Sequence, residues 1–379
     1  MATENNNKTL NVPNLRFPEF SGEWTKTLLN NYLEENKERN KRGIFTKNNV
    51  LSVSGDFGIV NQIELLGRSF AGKSVLDYHV VRTGNIVYTK SPLKEYPYGI
   101  VKVNGGVDGI VSTLYAVYKV KETANGKFVE YYFGLPNRTN RYFKPIVRIG
   151  AKHDMKIGND EVLANYVVFP CVDEQKRISD FICLLDERIA TQIKIIEKLE
   201  SLIKGLCQKL TQQDNPNTAL NDTLVCYSST LQESSVQEAG GYPVYGATGV
   251  CGYTDTPEVD GDSILIIKDG ASVGVTYYAS GKYSAIGTLN RLVAKRGYSL
   301  RYLYYCLKVF NFAPYRTGLA IPHIYFRDYG KAKVWCPSLD EQQRIADALS
   351  KVEQKIAIEK SLLEQLYSQK RFLLQAMFI

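Results

Sequence analysis

The longest ordered pattern in the chain is an apolar residue every seven positions. Ile182, Ile189, Ile196, Ile203 and Leu210 form one series, and Leu185, Leu199 and Leu206 stand three residues on from its members. This is the a/d spacing of a coiled-coil helix; a helix lying on its own domain would show a wider stripe of period 3.6. The pattern returns near the end of the chain. Leu349, Ile356, Leu363 and Met377 make the first series there, and Val352, Leu366 and Leu373 the second, with Lys370 as an interruption. Two matched seams in one chain can satisfy each other, so the pattern predicts helices over residues 174–210 and 341–377, packed antiparallel about an approximate twofold axis. The expected packing residues are Ile182, Leu185, Ile189, Gln192, Ile196 and Leu199 on the first helix, and Leu349, Val352, Ile356, Glu359, Leu363 and Leu366 on the second. Gln192 and Glu359 are the polar members, and a matched polar position fixes register at some cost in stability.

The seams belong to an internal repeat. Pro170, Asp173, Glu174, Gln175, Arg177, Ile178 and Asp180 reappear as Pro337, Asp340, Glu341, Gln342, Arg344, Ile345 and Asp347, at a constant offset of 167. Ile189, Ala190 and Leu199 return as Ile356, Ala357 and Leu366, and Gln192 as Glu359, at the same offset. Each half of the chain therefore ends in the same long segment. The prolines stop the preceding strands, and the Asp-Glu pairs put carboxylates in the first helical turn, where the helix dipole favours them. A fainter echo lies upstream. Gly84-Asn85-Ile86-Val87 resembles Gly261-Asp262-Ser263-Ile264, and Ser112-Thr113-Leu114 resembles Gly287-Thr288-Leu289.

Ahead of each long segment the pattern shortens. Val80 to Tyr88, Tyr115 to Tyr118 and Ser263 to Ile267 read as short strands bounded by Gly and Asn. The expected class is α+β: two mainly β globules, each followed by a long helix. The boundaries fall at residues 1–169 for the first globule, 170–212 for its helix, 213–336 for the second globule and 337–379 for the last helix, with the polar stretch 211–223 as linker.

Composition adds exclusions. At 379 residues the chain is long enough for two or three domains, and 44% hydrophobic with 23% charged residues is ordinary for a folded protein. No apolar run of membrane-spanning length occurs, and the polar, Asn-rich start to Asn11 reads as a tail and not a secretion signal, so a cytoplasmic location is expected. Seven cysteines, none three residues apart, and only three histidines (His79, His153 and His323) argue against a metal site. The cysteines read as reduced, mostly buried thiols, and the histidines as ordinary surface or loop residues. The net charge of +8 is unevenly placed: residues 1–169 hold 23 Lys+Arg against 16 Asp+Glu, or +7. A basic module suits a polyanion partner, although a weakly basic solvated surface accounts for the charge equally well.

Gly67-Arg68-Ser69-Phe70-Ala71-Gly72-Lys73-Ser74 matches the phosphate-binding P-loop pattern, which needs a buried strand before it and a helix after it. Val75-Leu76-Asp77-Tyr78-His79-Val80-Val81 instead runs into strand text, so a basic turn is the better reading. A methyl-transfer tetrad, a nuclease carboxylate cluster and a nucleophile-base triad do not stand out. What remains is loop vocabulary for recognition: Tyr242 to Gly249 with its aromatics and small residues, Lys268-Asp269-Gly270-Ala271 at a strand end, and the basic stretches Tyr88-Thr89-Lys90-Ser91 and Asn137-Arg138-Thr139-Asn140-Arg141. Such loops suit phosphate contact and base-edge hydrogen bonding, and ordinary hairpins share their composition. A P-loop nucleotide-binding protein and a coiled-coil scaffold without DNA sequence preference remain alternatives on the residues alone.

These residues resemble the specificity subunits of type I restriction-modification systems. The resemblance runs from Leu15-Arg16-Phe17-Pro18 with Phe20 and Trp24, through Gly84 to Tyr88, to Tyr242-Pro243-Val244-Tyr245-Gly246, and is strongest in the doubled Pro-x-x-Asp-Glu-Gln-x-Arg-Ile at 170–178 and 337–345. Cys171, Cys336 and Lys370 depart from the family pattern. The resemblance implies two target-recognition domains reading the halves of a split double-stranded DNA site, with the helix pair as a ruler. About 33 helical residues span about 50 Å, or about 14 base pairs. It also implies a chain that is not itself catalytic. Two methyltransferase subunits would use S-adenosylmethionine to methylate adenine N6, and restriction motor-nuclease subunits would use ATP and Mg²⁺, with no cofactor on this chain and no membrane. Lys73, Lys90, Arg138, Arg141 and Arg148 are expected at phosphates, with Ser91 and Asn140 beside them. In the second globule Tyr245, Gly246, Thr248, Lys268, Asn290, Arg316 and His323 are expected to contact DNA more directly.

Overall fold

The computed structural model describes residues 10–72, 74–93, 96–149, 155–318 and 320–379. They form two compact units: unit 1 comprises residues up to Ala190 together with Glu364–Ile379, and unit 2 comprises Thr191–Leu363. Five helices organise them: α1 (Gly126–Tyr132), α2 (Pro136–Phe143), α3 (Val172–Thr211), α4 (Leu300–Lys308) and α5 (Leu339–Ala376). The two units cut across the long helices and do not follow the linear order of the chain. Unit 1 holds the start of α3 with the end of α5, and unit 2 holds the end of α3 with the start of α5, so within each unit the helices run antiparallel.

Each unit carries a four-stranded antiparallel sheet of the same order. In unit 1 the strands lie as Leu33–Glu35, Ala116–Val120, Ile86–Tyr88 and Val101–Val103. In unit 2 they lie as Leu224–Ser228, Leu289–Ala294, Ser263–Ile267 and Thr276–Ala279. The faint echoes of the sequence fall at equivalent places in the two sheets, at the start of the third strand in each order and just ahead of the second. Ser263–Ile267 is buried along its whole length. Because successive side chains point to opposite faces, Ile264 and Ile266 pack with Leu292 and Tyr302, while Leu265 and Ile267 pack with Tyr283 and Leu289 against a second sheet. In that second sheet Tyr242–Gly246 runs parallel to Lys282–Ala285. The smaller apolar core of unit 1 gathers Val81, Val87, Val111 and Val117, and beside it Tyr88 stacks on Phe143 at 4.4 Å.

Two expectations need correction. Asn137-Arg138-Thr139-Asn140-Arg141 is helical, inside α2, and not a loop. Pro136 supplies a preset first-turn φ, and Thr139, Tyr142 and Phe143 bury one face, which outweighs the loop-like composition. The cysteines are free, but only Cys207 and Cys306 are buried; Cys171 and Cys251 are exposed and the other three are half-buried. Around the P-loop pattern, a short helix Gln62–Leu66 ends at Gly67, and no helix begins among the described residues 74–78. Lys73 lies outside the described residues.

The repeated Pro-x-x-Asp-Glu-Gln motif acts as a latch. Gln175 and Gln342 are buried in the first turns of α3 and α5. Gln175 Nε2 donates to the Pro170 carbonyl at 3.0 Å while its Oε1 accepts from the Asn125 amide at 2.9 Å. Gln342 does the same with Pro337 at 2.9 Å and the Ser299 amide at 3.0 Å. Asn125 and Ser299 are the N-caps of α1 and α4. One side chain thus ties the start of each long helix to the cap of the helix that packs on its own sheet. The neighbouring glutamates differ. Glu174 is buried and receives Arg16 through two contacts of 2.8 Å and Trp24 Nε1 at 3.2 Å, whereas Glu341 pairs within its own helix with Arg344 at 2.6 Å.

Along the seam, Ile182, Leu185, Ile189, Ile196, Leu349, Ile356 and Leu366 are buried, and Leu199, Val352 and Leu363 are half-buried. Lys370, the interruption, meets Asp186 and lies 5.7 Å from the Tyr131 ring, whose hydroxyl donates to Asp186 at 2.7 Å. Gln192 Nε2 donates to both the main-chain carbonyl (3.1 Å) and the carboxylate of Glu359. Since these two are counterparts at the 167 offset, their meeting marks the crossing point of an antiparallel pair, the only place where a residue faces its own equivalent. Lys355 and Gln192 hold the Glu359 carboxyl below the ordinary range. Replacing Glu359 alone with Leu leaves the buried Gln192 amide only the main-chain carbonyl of residue 359 and is expected to lower the melting temperature, whereas Gln192→Leu with Glu359→Leu is expected to raise it above wild type. Thermal unfolding of the three proteins checks this, and a double variant at or below wild type would contradict the cost assigned to the polar pair.

Candidate nucleic-acid interface

Sheet topology brings several loops of unit 2 to one end. Tyr242–Gly246 and Lys282–Ala285 are parallel, so both stop at the same end. The antiparallel partners Ser263–Ile267 and Leu289–Ala294 place the exit of the first beside the entry of the second. Main-chain hydrogen bonds then join the loops in series. Ile286 N donates to Tyr245 O at 2.9 Å, Lys268 N to Thr288 O at 3.0 Å, and Ile324 N to Lys268 O at 2.9 Å.

This rim gathers most of the candidates in unit 2. Thr248 is exposed in the turn that follows the buried Gly246, and the half-buried Tyr245 packs edge-on against Tyr283. Lys268 is half-buried, with no side-chain partner among the described residues. Arg316 is exposed; one of its Nη atoms donates to Val273 O at 3.2 Å, beside an open recess of about 420 Å³ lined in part by Phe310 and Phe312. His323 Nδ1 lies 2.7 Å from Asp269 Oδ1. Asn290 stands apart: it is buried within its strand and accepts from Ser228 Oγ at 3.1 Å. Asp269 was legible only as part of a turn, and its pairing with His323 spans 54 positions.

In unit 1 the basic candidates divide. Lys90, at the equivalent strand exit, adopts a left-handed φ of 47°, and its ammonium turns inward to the Ile157 carbonyl at 3.0 Å and to Asn159 Oδ1. Burial lowers its pKa. Arg138 also faces inward. It donates to Leu374 O at 3.2 Å, lies 5.3 Å from the Phe378 ring and 5.5 Å from the Tyr132 ring, and is lowered to about 10 by burial. These two cations hold unit 1 together and are not presented to a phosphate. Asn140 Oδ1 is buried without a hydrogen-bond partner among the described residues, and Ser91 is half-buried. Arg141 and Arg148 are exposed, Arg148 being 3.7 Å from Glu161. His79, read as a surface or loop residue, is buried in the strand His79–Val81, because strand pairing with Gly109–Val111 closes over it. Burial first, then the Arg39 charge, lowers it to about 4. Among the described residues no group of three or more His, Cys, Asp or Glu could hold a metal ion.

With this geometry in view, a sequence profile described as the type I restriction modification DNA specificity domain matches residues 227–368. That span covers the loop rim of unit 2, the second latch and most of α5. Over that stretch, less than half of its length, the chain is similar to the type I restriction-modification specificity domain. Solved structures agree at the level of fold. The crystal structure of a type I restriction-modification system S subunit from M. genitalium covers 97% of this chain and 99% of its own, with a TM-score of 0.63 at 16% identity. A chain from a structure described as the basis of complex assembly and conformational transition of the type I R-M system covers 94% of this chain and 97% of its own, with a TM-score of 0.55 at 16% identity. No curated protein matches this chain in sequence.

The division of basic residues is testable by salt titration of DNA binding. Arg141→Ala and Arg148→Ala are each expected to flatten the log–log slope by about one unit, while Lys90→Ala and Arg138→Ala lower thermal stability and leave the slope unchanged. A flattened slope for Lys90→Ala at unchanged stability would reverse the assignment. His79 makes a separate prediction. An unfolded His titrates near about 6.5, so the neutral buried ring stabilises the fold fully above that pH, and this contribution fades as pH falls toward about 4, by about 3 kcal/mol in all. Urea unfolding between pH 7 and pH 4 should show this decline, and His79→Asn should flatten it.

Proposed function

We propose that this chain is the DNA sequence-recognition subunit of a type I restriction-modification complex, in which each β-rich unit reads one half of a bipartite double-stranded site. The observation that carries the reading is duplication: two units share a sheet order and a Gln latch, while their exposed loops differ. A common frame with divergent loops suits two independent readers of different sequences, because base-edge contacts come from loop side chains and the frame only positions them. The fold likeness to a type I S subunit over nearly the whole chain supports the same reading.

The chain then acts without catalysing a reaction itself. Two methyltransferase subunits carrying S-adenosylmethionine would methylate adenine N6 at the chosen site, and restriction subunits would add ATP- and Mg²⁺-dependent translocation and cleavage. A cytoplasmic location suits that role. Among the described residues no helix is long and apolar enough to cross a membrane.

Copurification with a methyltransferase subunit, followed by mapping of methylated adenines, tests the proposal. A split motif with an unread spacer is the expected result. DNA binding without sequence preference would favour a scaffold instead. Replacing residues 224–334 with the matching domain of a relative is expected to change one half of the motif only. Inserting about four helical residues into each long helix should lengthen the spacer by about two base pairs and leave both halves the same. A swap that changed both halves would refute separate readers.

A further inference from the structure

His323 and Asp269 sit at the loop rim of unit 2 with their main chains tied on several sides. Thr317 N donates to His323 O at 2.9 Å and His323 N to Thr317 O at 2.7 Å, while Gly270 N donates to Pro322 O at 2.9 Å. With Ile324 N on Lys268 O, these bonds leave the loop little freedom to move the imidazole. Gly318 closes over its edge with φ +87°; a Cβ there would lie 2.2 Å from Ile321 O and 3.0 Å from His323 Cδ2, so any other residue would collide with the Ile321 carbonyl and crowd the ring. The imidazole lies nearly parallel to Tyr325, the two planes 20° apart.

The 2.7 Å contact between Nδ1 and Asp269 Oδ1 sets the tautomer. A carboxylate that accepts here places a hydrogen on Nδ1, so whenever the ring carries a single hydrogen its Nε2 is an acceptor. Among the described residues Nε2 has no hydrogen-bond partner, although the side chain is 34% exposed and its Asp269 partner 32%. The open Nε2 edge stands at the rim, and Lys268 and Arg316 adjoin Asp269 and Thr317 in sequence. At the third-strand exit of unit 1, by contrast, Lys90 turns inward.

In the major groove the groups that donate to such an acceptor are the exocyclic amines, adenine N6 and cytosine N4; guanine offers two acceptors and thymine an acceptor and a methyl group. We propose that Asp269 orients His323 so that Nε2 accepts a hydrogen bond from the amino group of an adenine or a cytosine in the half-site read by unit 2. His323 thereby determines specificity and Asp269 is a positioning residue. The inference rests on the DNA-reading function proposed above.

The test uses the full chain assembled with its methyltransferase subunits. Initial methylation rates are measured on duplexes carrying each of the four bases, in turn, at every position of the mapped motif. Wild type is expected to prefer A or C about tenfold or more at one position of the unit 2 half-site. His323→Ala should abolish that preference and leave the other half-site unchanged. Asp269→Asn, whose amide can also donate to Nδ1 and so free the other tautomer, should admit guanine or thymine at the same position. If His323→Ala fails to assemble, Asp269→Asn carries the test alone, because it preserves the size of the side chain. An unchanged motif in the assembled variants, or relaxation in both halves, would overturn the assignment and leave the DNA-reading function intact. A wild-type complex that methylates no defined motif would overturn the DNA-reading function, and this inference with it.

Discussion

Everything in each unit hangs on a buried amide. Gln175 and Gln342 are buried from solvent, where an unmade hydrogen bond costs about 1–3 kcal/mol and a made one is directional. Each meets its demand by binding the carbonyl of the proline that ends the globule and the amide that caps a globular helix. The long helix can therefore leave the globule only at one place and along one direction. That constraint recurs at the same offset as the seam, so both helices start from equivalent attachments, and Gln192 can meet its counterpart Glu359.

The glutamate beside the latch shows how a duplicated frame diverges. Glu174 is buried with Arg16 and Trp24, joining the segment before the first sheet to the start of α3. Glu341, at the same motif position, is satisfied inside its own helix. An Arg–carboxylate pair with two contacts is geometrically demanding and would leave a buried charge exposed to no partner if one side were lost. Unit 1 thus depends on its N-terminal segment in a way that unit 2 does not.

Charge was a poor guide to which cations face outward. The first 169 residues hold most of the positive excess, yet two of the most prominent candidates there, Lys90 and Arg138, are held by main-chain carbonyls and aromatic rings. Burial costs a cation its hydration, and the lowered pKa of each reflects that cost. In nearly neutral unit 2, by contrast, the loop rim carries a histidine aligned by a carboxylate. Positive charge on a module speaks to its attraction for DNA, while reading a base depends on a few donors and acceptors held still.

The seven-residue period, the 167-residue repeat and the short strands between them were legible because each is written in neighbouring residues: which face of a helix is apolar depends on side chains three and four apart. The Gln of the repeated motif was visible as a letter, but its role was not, since its partners lie up to 52 positions away. Helix α2 was hidden by polar composition until Tyr142 and Phe143 found aromatic neighbours. His79 was misread because the strand that covers it begins about 30 residues further on. Arg138 meets Leu374 across 236 positions and His323 meets Asp269 across 54. Exposure, pKa and hydrogen-bond partners are properties of what surrounds a side chain in space, and only the tertiary structure brings those surroundings together.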